Sequence, residues 1–248
     1  MASLLELHDV SMSYGAVEAL RDVSLAVAEG DVLGVCGDNG AGKTTMIRIV
    51  SGAIQPTRGK IHLDGRPVSF ASPRDALGQG VATIYQDLAL APRLSVAENI
   101  FMGSELTRPT PIPRLRLLDK SRMRRQAARY LEQLRISLPD MDAPVSGLSG
   151  GQRQAVAISR ALRWQARIVV MDEPTAALGV KETRRVLDLI RSLRDQGVTV
   201  ILISHNMDDI IAVTNRVVIL KSGRKAAERR TAELTADSLS HLVMMGHA

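Results

Sequence analysis

The sequence predicts an α/β protein in which a mixed sheet flanked by helices carries an inserted helical subdomain. Three observations predict it. Apolar strand-like runs at 32–36, 81–85, 167–174 and 198–203 are separated by segments whose apolar residues recur at helical spacing. Between the first of these runs and a helix lies a glycine-rich stretch ending in lysine and two threonines, Gly37-Asp38-Asn39-Gly40-Ala41-Gly42-Lys43-Thr44-Thr45. From 94 to 165 the strands give way to helix, interrupted by Pro109, Pro111 and Pro113.

Composition sets the bounds. A chain of 248 residues that is 45% hydrophobic buries a substantial core. Aromatic residues make up only 2%, so stacking platforms for single-stranded nucleic acid are sparse. The single cysteine, Cys36, has no partner, which excludes a disulfide framework and fits a reducing cytoplasmic setting. The longest strand-like apolar run, 198–203, is far short of the ~20 residues of a membrane span. Residues 1–10 lack a basic start and carry Glu6, His8 and Asp9, so no secretory signal is evident and a soluble protein is expected. Net charge is +6, and the excess is local. Arg108, Arg114, Arg116, Lys120, Arg122, Arg124, Arg125, Arg129 and Arg135 face only Asp119 and Glu132. A solvated helix face is the ordinary explanation of such a run, and contact with anionic lipid or a partner is the other.

Residues 4–27 alternate as strands do, with a turn at Ser13-Tyr14-Gly15-Ala16. Tyr14 taken alone is a packing residue. The run 32–36 is a buried strand, and Met46, Ile47, Ile49 and Val50 beyond the glycine loop fall on one helical face. Strand, loop and helix in that order form a phosphate cradle. Its amides turn inward as an anion nest, Lys43 reaches the β- and γ-phosphates, and the Thr44 hydroxyl ligates Mg²⁺. The bland alternative is a glycine-rich connection. Residues 59–65 read as a short hairpin strand, and the strand 81–85 delivers Gln86 at its carboxyl end, where parallel sheets meet ligands.

In the helical region Met123, Ala127, Tyr130, Leu131, Leu134 and Leu138 share one face and leave the arginines on the other. Leu148-Ser149-Gly150-Gly151-Gln152 opens the next helix, whose serine and paired glycines form a second anion-binding end. The strand at 167–174 finishes in Asp172 and Glu173, one placed to hold Mg²⁺ and the other to take a proton from an attacking water. Read without context, this is a surface turn. Helix 181–195 and strand 198–203 follow, then His205, which taken alone is a cap or surface residue. Residues 216–220, Gly223 and 225–230 close the sheet before a short terminal helix.

With these pieces in order, the sequence resembles the nucleotide-binding subunit of ATP-binding cassette transporters over nearly its whole length. The resemblance implies a P-loop NTPase core in one domain over 1–248, with the core at about 1–93 and 166–248 and the helical subdomain at about 94–165. It implies that Tyr14 stacks on adenine, that residues 37–45 are the Walker A loop, and that Gln86 senses Mg²⁺ and the permease. Leu148 to Gln152 match the family signature, the strand ending in Asp172 and Glu173 is the Walker B strand with its catalytic glutamate, and His205 contacts the γ-phosphate. ATP and Mg²⁺ are the implied cofactors. The implied partners are a second copy that completes two composite sites, a transmembrane permease and, indirectly, a solute-binding protein, at the cytoplasmic side of the membrane. One departure is Gly179, where the family usually places an aspartate.

Asp87-Leu88-Ala89-Leu90, Glu98 to Gly103 and Pro174 to Gly179 resemble bacterial monosaccharide importers, although those often fuse two cassettes and this chain holds one. Import of another solute is the alternative within transport. Cassette ATPases of DNA or ribosomes carry coiled-coil insertions, zinc-binding cysteines or a second cassette, none of which is present, so no nucleic acid is expected. A regulator without turnover is disfavoured by the retention of Lys43, Asp172, Glu173 and His205.

Overall fold

The computed structural model describes residues 3–109 and 116–245. These divide into two compact units, one built from residues up to Gln86, Ala166–Ala176 and the stretch from Leu193 onward, the other from Asp87–Gln165 and Ala177–Ser192. The sequence pattern began the helical subdomain near 94 and ended it near 165. The second unit begins at Asp87 and also takes in most of the helix that follows the carboxylate turn.

In chain order the first unit opens with β1 (Ser3–Tyr14), β2 (Val17–Ala28), β3 (Val32–Cys36), α1 (Lys43–Val50), β4 (Arg58–Leu63), β5 (Arg66–Val68), α2 (Pro73–Gly78) and β6 (Val81–Ile84). The second unit holds α3 (Val96–Phe101), β7 (Thr107–Pro109), β8 (Arg116–Leu118), α4 (Lys120–Gln133) and α5 (Gly150–Arg163). Then come β9 (Ile168–Asp172), α6 (Val180–Asp195), β10 (Thr199–Ile203), α7 (Met207–Val213), β11 (Arg216–Lys221), β12 (Arg224–Arg230) and α8 (Ala236–Met245).

The first unit is organised by a six-stranded sheet in the order β12-β11-β3-β10-β9-β6, parallel except for β12. Every residue of β3 and β10 is buried, which explains why both read as unbroken apolar runs rather than as alternation. Register pairs Ile203 with both Val35 and Asp172, and Ile84 with Met171, so the strand ends lie level. Five connections leave that common edge, and four of them carry the candidate site residues: the phosphate loop from β3, Gln86 beyond β6, Asp172 and Glu173 from β9, and His205 beyond β10. The edge is where a parallel sheet places its ligands.

A second, antiparallel sheet has the order β2-β1-β4-β5. One cluster of buried side chains joins the two sheets, with Leu5, Leu7 and Leu20 from the antiparallel sheet and Ile201, Ile203 and Val218 from the parallel one. The same cluster takes Met46, Ile47, Ile49 and Val50 from α1. A helix of eight residues is too short to hold itself in water. Four buried side chains, each stabilising by about 1.5–3 kcal/mol, fix α1 to the core and with it the loop at its start.

In the second unit, α3 and α5 begin with capping boxes, Ser95 with Glu98 and Ser149 with Gln152. Met123, Ala127 and Leu131 are buried along α4; Leu134 and Leu138 are buried beyond its end, and Tyr130 is half-buried. The stretch between α3 and α4 is not helix throughout, because β7 and β8 pair as a short antiparallel ribbon. Prolines that forbid a helix interior also set the extended backbone that such a ribbon uses. Pro111, Pro113 and Arg114 lie outside the described residues. Two short helices were absent from the sequence pattern. α2 spans six residues, capped by Ser72 with Pro73 in its first turn, and α7 spans seven, capped by Asn206.

Part of the basic run is neutralised locally. Lys120 pairs with Glu98 at 3.0 Å and Arg124 with Asp142. Arg122, Arg129 and Arg135 are exposed.

Candidate active site

The phosphate loop owes its path to a close approach. β2 passes over the start of α1, and a Cβ on Gly42 would lie 2.6 Å from Leu20 Cδ2 and 2.7 Å from the Ala19 carbonyl oxygen. Gly42 also holds φ 104°, in the left-handed region that side chains resist. Only glycine meets both demands. The Lys43 ammonium donates to the carbonyls of Gly37 at 2.5 Å and Asp38 at 3.0 Å, so it lies back across the loop. Thr44 is exposed and Thr45 half-buried in the first turn of α1.

A cleft of about 800 Å³ opens above this loop. Asn39, Gly40, Ala41, Gly42, Lys43, Thr44 and Thr45 line it together with Gln86, Asp172, Glu173 and His205. Residues more than a hundred positions apart in sequence thus meet in one place. Val17, Glu18 and Ala19 complete the lining. The sequence carried no signal for these three beyond their position after a turn. Tyr14 is 45% exposed at the end of β1 and is not among the lining residues.

The carboxylate turn is held from two sides. Glu173 adopts φ 50°, a left-handed conformation that costs energy in a non-glycine residue, and its N–H donates to the Ile203 carbonyl at 2.9 Å. Its carboxylate receives His205 Nδ1 at 2.7 Å and, more weakly, the His205 backbone N–H at 3.4 Å. Farther along the turn, the Thr175 hydroxyl donates to Asp209 at 2.6 Å, tying the turn to α7. Asp209 is buried, and neither it nor Thr175 stood out in the sequence as a site residue.

Electrostatics separate the groups. Burial, followed by the nearby Glu173 charge, raises the Asp172 carboxyl above the usual carboxylate range, while Lys43 pulls it down. Asp172 is therefore a half-buried anion beside a second anion, and a cation placed there relieves both. The exposed Thr44 hydroxyl and the Asp172 carboxylate supply the hard oxygen donors that a small divalent cation prefers. Cys36 is pushed up to about 12, chiefly by burial, which leaves it an inert thiol beneath the loop.

Ser149, Gly150, Gly151 and Gln152 belong to the second unit and are not among the cleft residues. Ser149 caps α5, exchanging bonds with Gln152: its N–H donates to Gln152 Oε1 at 2.9 Å and its hydroxyl accepts from the Gln152 N–H at 3.4 Å. The Gly150 N–H donates to Glu182 Oε1 at 2.9 Å. The second anion-binding end expected at this serine and glycine pair thus already holds a carboxylate of its own chain. Arg160, later in α5, donates to the carbonyls of Leu88 at 3.0 Å and Ala89 at 3.1 Å. Gly179 is exposed, with open space where a Cβ would stand, and its carbonyl accepts from the N–H groups of Glu182 and Thr183. Among the described residues no helix is long and apolar enough to cross a membrane.

Residues 20–176 match the family model described as ABC transporter. The chain is 42% identical over 243 residues to the xylose/arabinose import ATP-binding protein XylG of Sulfolobus acidocaldarius, covering 98% of this chain and 94% of that one. It is 46% identical to the fructose import ATP-binding protein FrcA of Rhizobium meliloti, over 86% of this chain and 82% of that one. Among solved structures it resembles a dimeric post-hydrolysis ATP-binding cassette bound to ADP and Pi, with a TM-score of 0.75, 25% identity, and coverage of 92% of this chain and 98% of that one.

Proposed function

The chain belongs to the ABC transporter family and is an ATP-binding ATPase, and from that membership we propose that it energises import of a monosaccharide. The observation that carries the reading is the convergence of Lys43, Thr44, Gln86, Asp172, Glu173 and His205 on a single cleft. Relatives named for import of xylose or arabinose and of fructose supply the cargo class.

The cleft residues have roles that their positions support. The amides of residues 37–45 and the Lys43 ammonium bind the β- and γ-phosphates of ATP. Tyr14, outside the cleft lining, takes the role of stacking on the adenine from the family resemblance alone. Thr44, Gln86 and Asp172 hold Mg²⁺. When bound, the ion neutralises charge on the phosphate oxygens. Glu173 orients a water and takes its proton, and His205, hydrogen-bonded to that carboxylate, holds it in place and contacts the γ-phosphate.

Ser149, Gly150, Gly151 and Gln152 contribute to the nucleotide site of a second copy, so that two chains form two composite sites. The dimeric cassette that the chain resembles supports this pairing. Closing and opening of the pair would drive a transmembrane permease, with this chain peripheral on the cytoplasmic side and a solute-binding protein supplying cargo.

Two measurements test the reading. ATPase activity per chain should rise steeply with protein concentration, and flat activity down to a monomeric dilution rules out composite sites. Deleting the gene should abolish uptake of one pentose or hexose. Loss of uptake of a different solute alone would overturn the sugar assignment while leaving the ATPase intact.

A further inference from the structure

We propose that Glu6, His8 and His62 form a binding site for a borderline divalent cation of the zinc class, on the face of the antiparallel sheet opposite the core. Leu5 and Leu7 of β1 point into the core, so the alternation of a strand turns Glu6 and His8 to the other face. β4 pairs antiparallel with β1 and places His62 directly opposite Glu6. Two imidazoles and a carboxylate from adjacent strands therefore share one patch of the sheet.

Their donor atoms all lie within 4.8 Å of one another. A tetrahedral zinc ion with donors at about 2.0–2.2 Å holds them roughly 3.3–3.6 Å apart, so modest side-chain rotation closes the set. His8 Nε2 already meets Glu6 Oε2 at 2.6 Å, a contact in which a metal ion can replace the shared proton. The His8 and His62 rings stand edge to face at 4.5 Å between centroids. The His62 Nδ1 is buried and makes no hydrogen bond, so no protein group holds that nitrogen. Nitrogen-rich donors favour zinc, nickel or copper over magnesium, which separates this site chemically from the oxygen donors of the nucleotide cleft.

The patch is partly open. His8 has half its side chain exposed, leaving the remaining coordination positions to water. Lys60, opposite His8 on β4, is exposed and carries its charge on a flexible stem that can turn away. No other group of three such donors comes together among the described residues. An ion bridging β1 and β4 would stabilise the pairing of these two strands and bind the folded chain alone.

Zinc titrated by calorimetry into the chelator-treated, nucleotide-free chain tests the site. One equivalent should bind saturably and raise the Tm. Losing only an outer-shell partner of a metal ligand costs about 10–100-fold, so His8→Ala and His62→Gln should each weaken binding at least that much. Both variants should lose the zinc-dependent rise in Tm, circular dichroism checking that they fold. His8→Ala should keep its Mg²⁺-dependent ATPase rate. Copper in place of zinc should give a spin-resonance spectrum with two nitrogen ligands. Absence of saturable binding to the parent chain, or undiminished binding to either variant, overturns the proposal.

Discussion

His205 Nδ1 lies 2.7 Å from Oε2 of Glu173, and the two residues follow the ends of neighbouring parallel strands. The Glu173 side chain is 16% exposed and that of His205 74%, so the carboxylate is sheltered while the ring that orients it faces the open cleft. A carboxylate held by a second residue in this way keeps its orientation, which is what the water-activating role proposed for Glu173 requires.

Replacing Glu173 by Gln keeps size and hydrogen bonding but removes the charge proposed to accept a proton. General-base catalysis contributes about 10²–10⁴-fold, and ATP turnover should fall on that order. Binding should survive, so the variant should accumulate as an ATP-bound dimer on size exclusion. Lys43→Ala should instead fail at nucleotide binding. Turnover of Glu173→Gln at the parental rate would place the base elsewhere, with His205 the next candidate.

Much of this was legible in the sequence, for physical reasons. The strands β3, β9 and β10 are buried on both faces and so read as apolar runs, and the phosphate loop has few alternatives because Gly42 and Lys43 sit at fixed spacing between strand and helix. α2 and α7 were not legible, being too short for any periodicity and marked only by their caps. The β7 and β8 ribbon hid behind prolines that serve a loop equally well. Val17 entered the cleft, and Asp209 became a brace for Thr175, through tertiary contacts that no local pattern encodes.

Asp172 links stability to pH. Its carboxyl is raised in the folded chain, chiefly by burial, so between the ordinary value and the raised one the folded state holds a proton that the unfolded chain has released. The charge therefore destabilises the fold above that window and has no effect below it. Asp172→Asn should melt higher than the parent at neutral pH, the advantage shrinking as pH falls into the ordinary carboxylate range. The same variant should lose Mg²⁺-dependent turnover. A lower melting temperature at neutral pH would show that the carboxylate is stabilised in place.

Gly179 stands where the family resemblance leads one to expect aspartate, and nothing lies within 4 Å of a Cβ built there. Gly179→Asp should fold without strain. Aspartate also caps a helix start better than glycine by a few tenths of a kcal/mol, so the Tm should hold or rise slightly. If the missing carboxylate weakens coupling between composite sites, ATP cooperativity should increase in the variant. An unchanged Hill coefficient would make the substitution neutral in this chain.

Glu182 gives the sharpest conflict between stability and function. Its carboxylate accepts from the Gly150 N–H at 2.9 Å, at the helix start proposed to join the nucleotide site of a second copy. A carboxylate there is favourable to the isolated chain, because it satisfies an amide that has no partner within the helix and meets the positive end of α5. An arriving phosphate meets that carboxylate as a like charge competing for the same amide. Glu182→Ala should therefore destabilise the chain by about 0.5–2 kcal/mol, the range of one charge-assisted hydrogen bond with partial exposure. It should at the same time lower the ATP concentration for half-maximal turnover, since closure no longer displaces a bound anion. Thermal melts and ATP saturation curves on one preparation read both effects. A variant that loses stability with no change in ATP dependence would leave Glu182 a cap on α5 and nothing more.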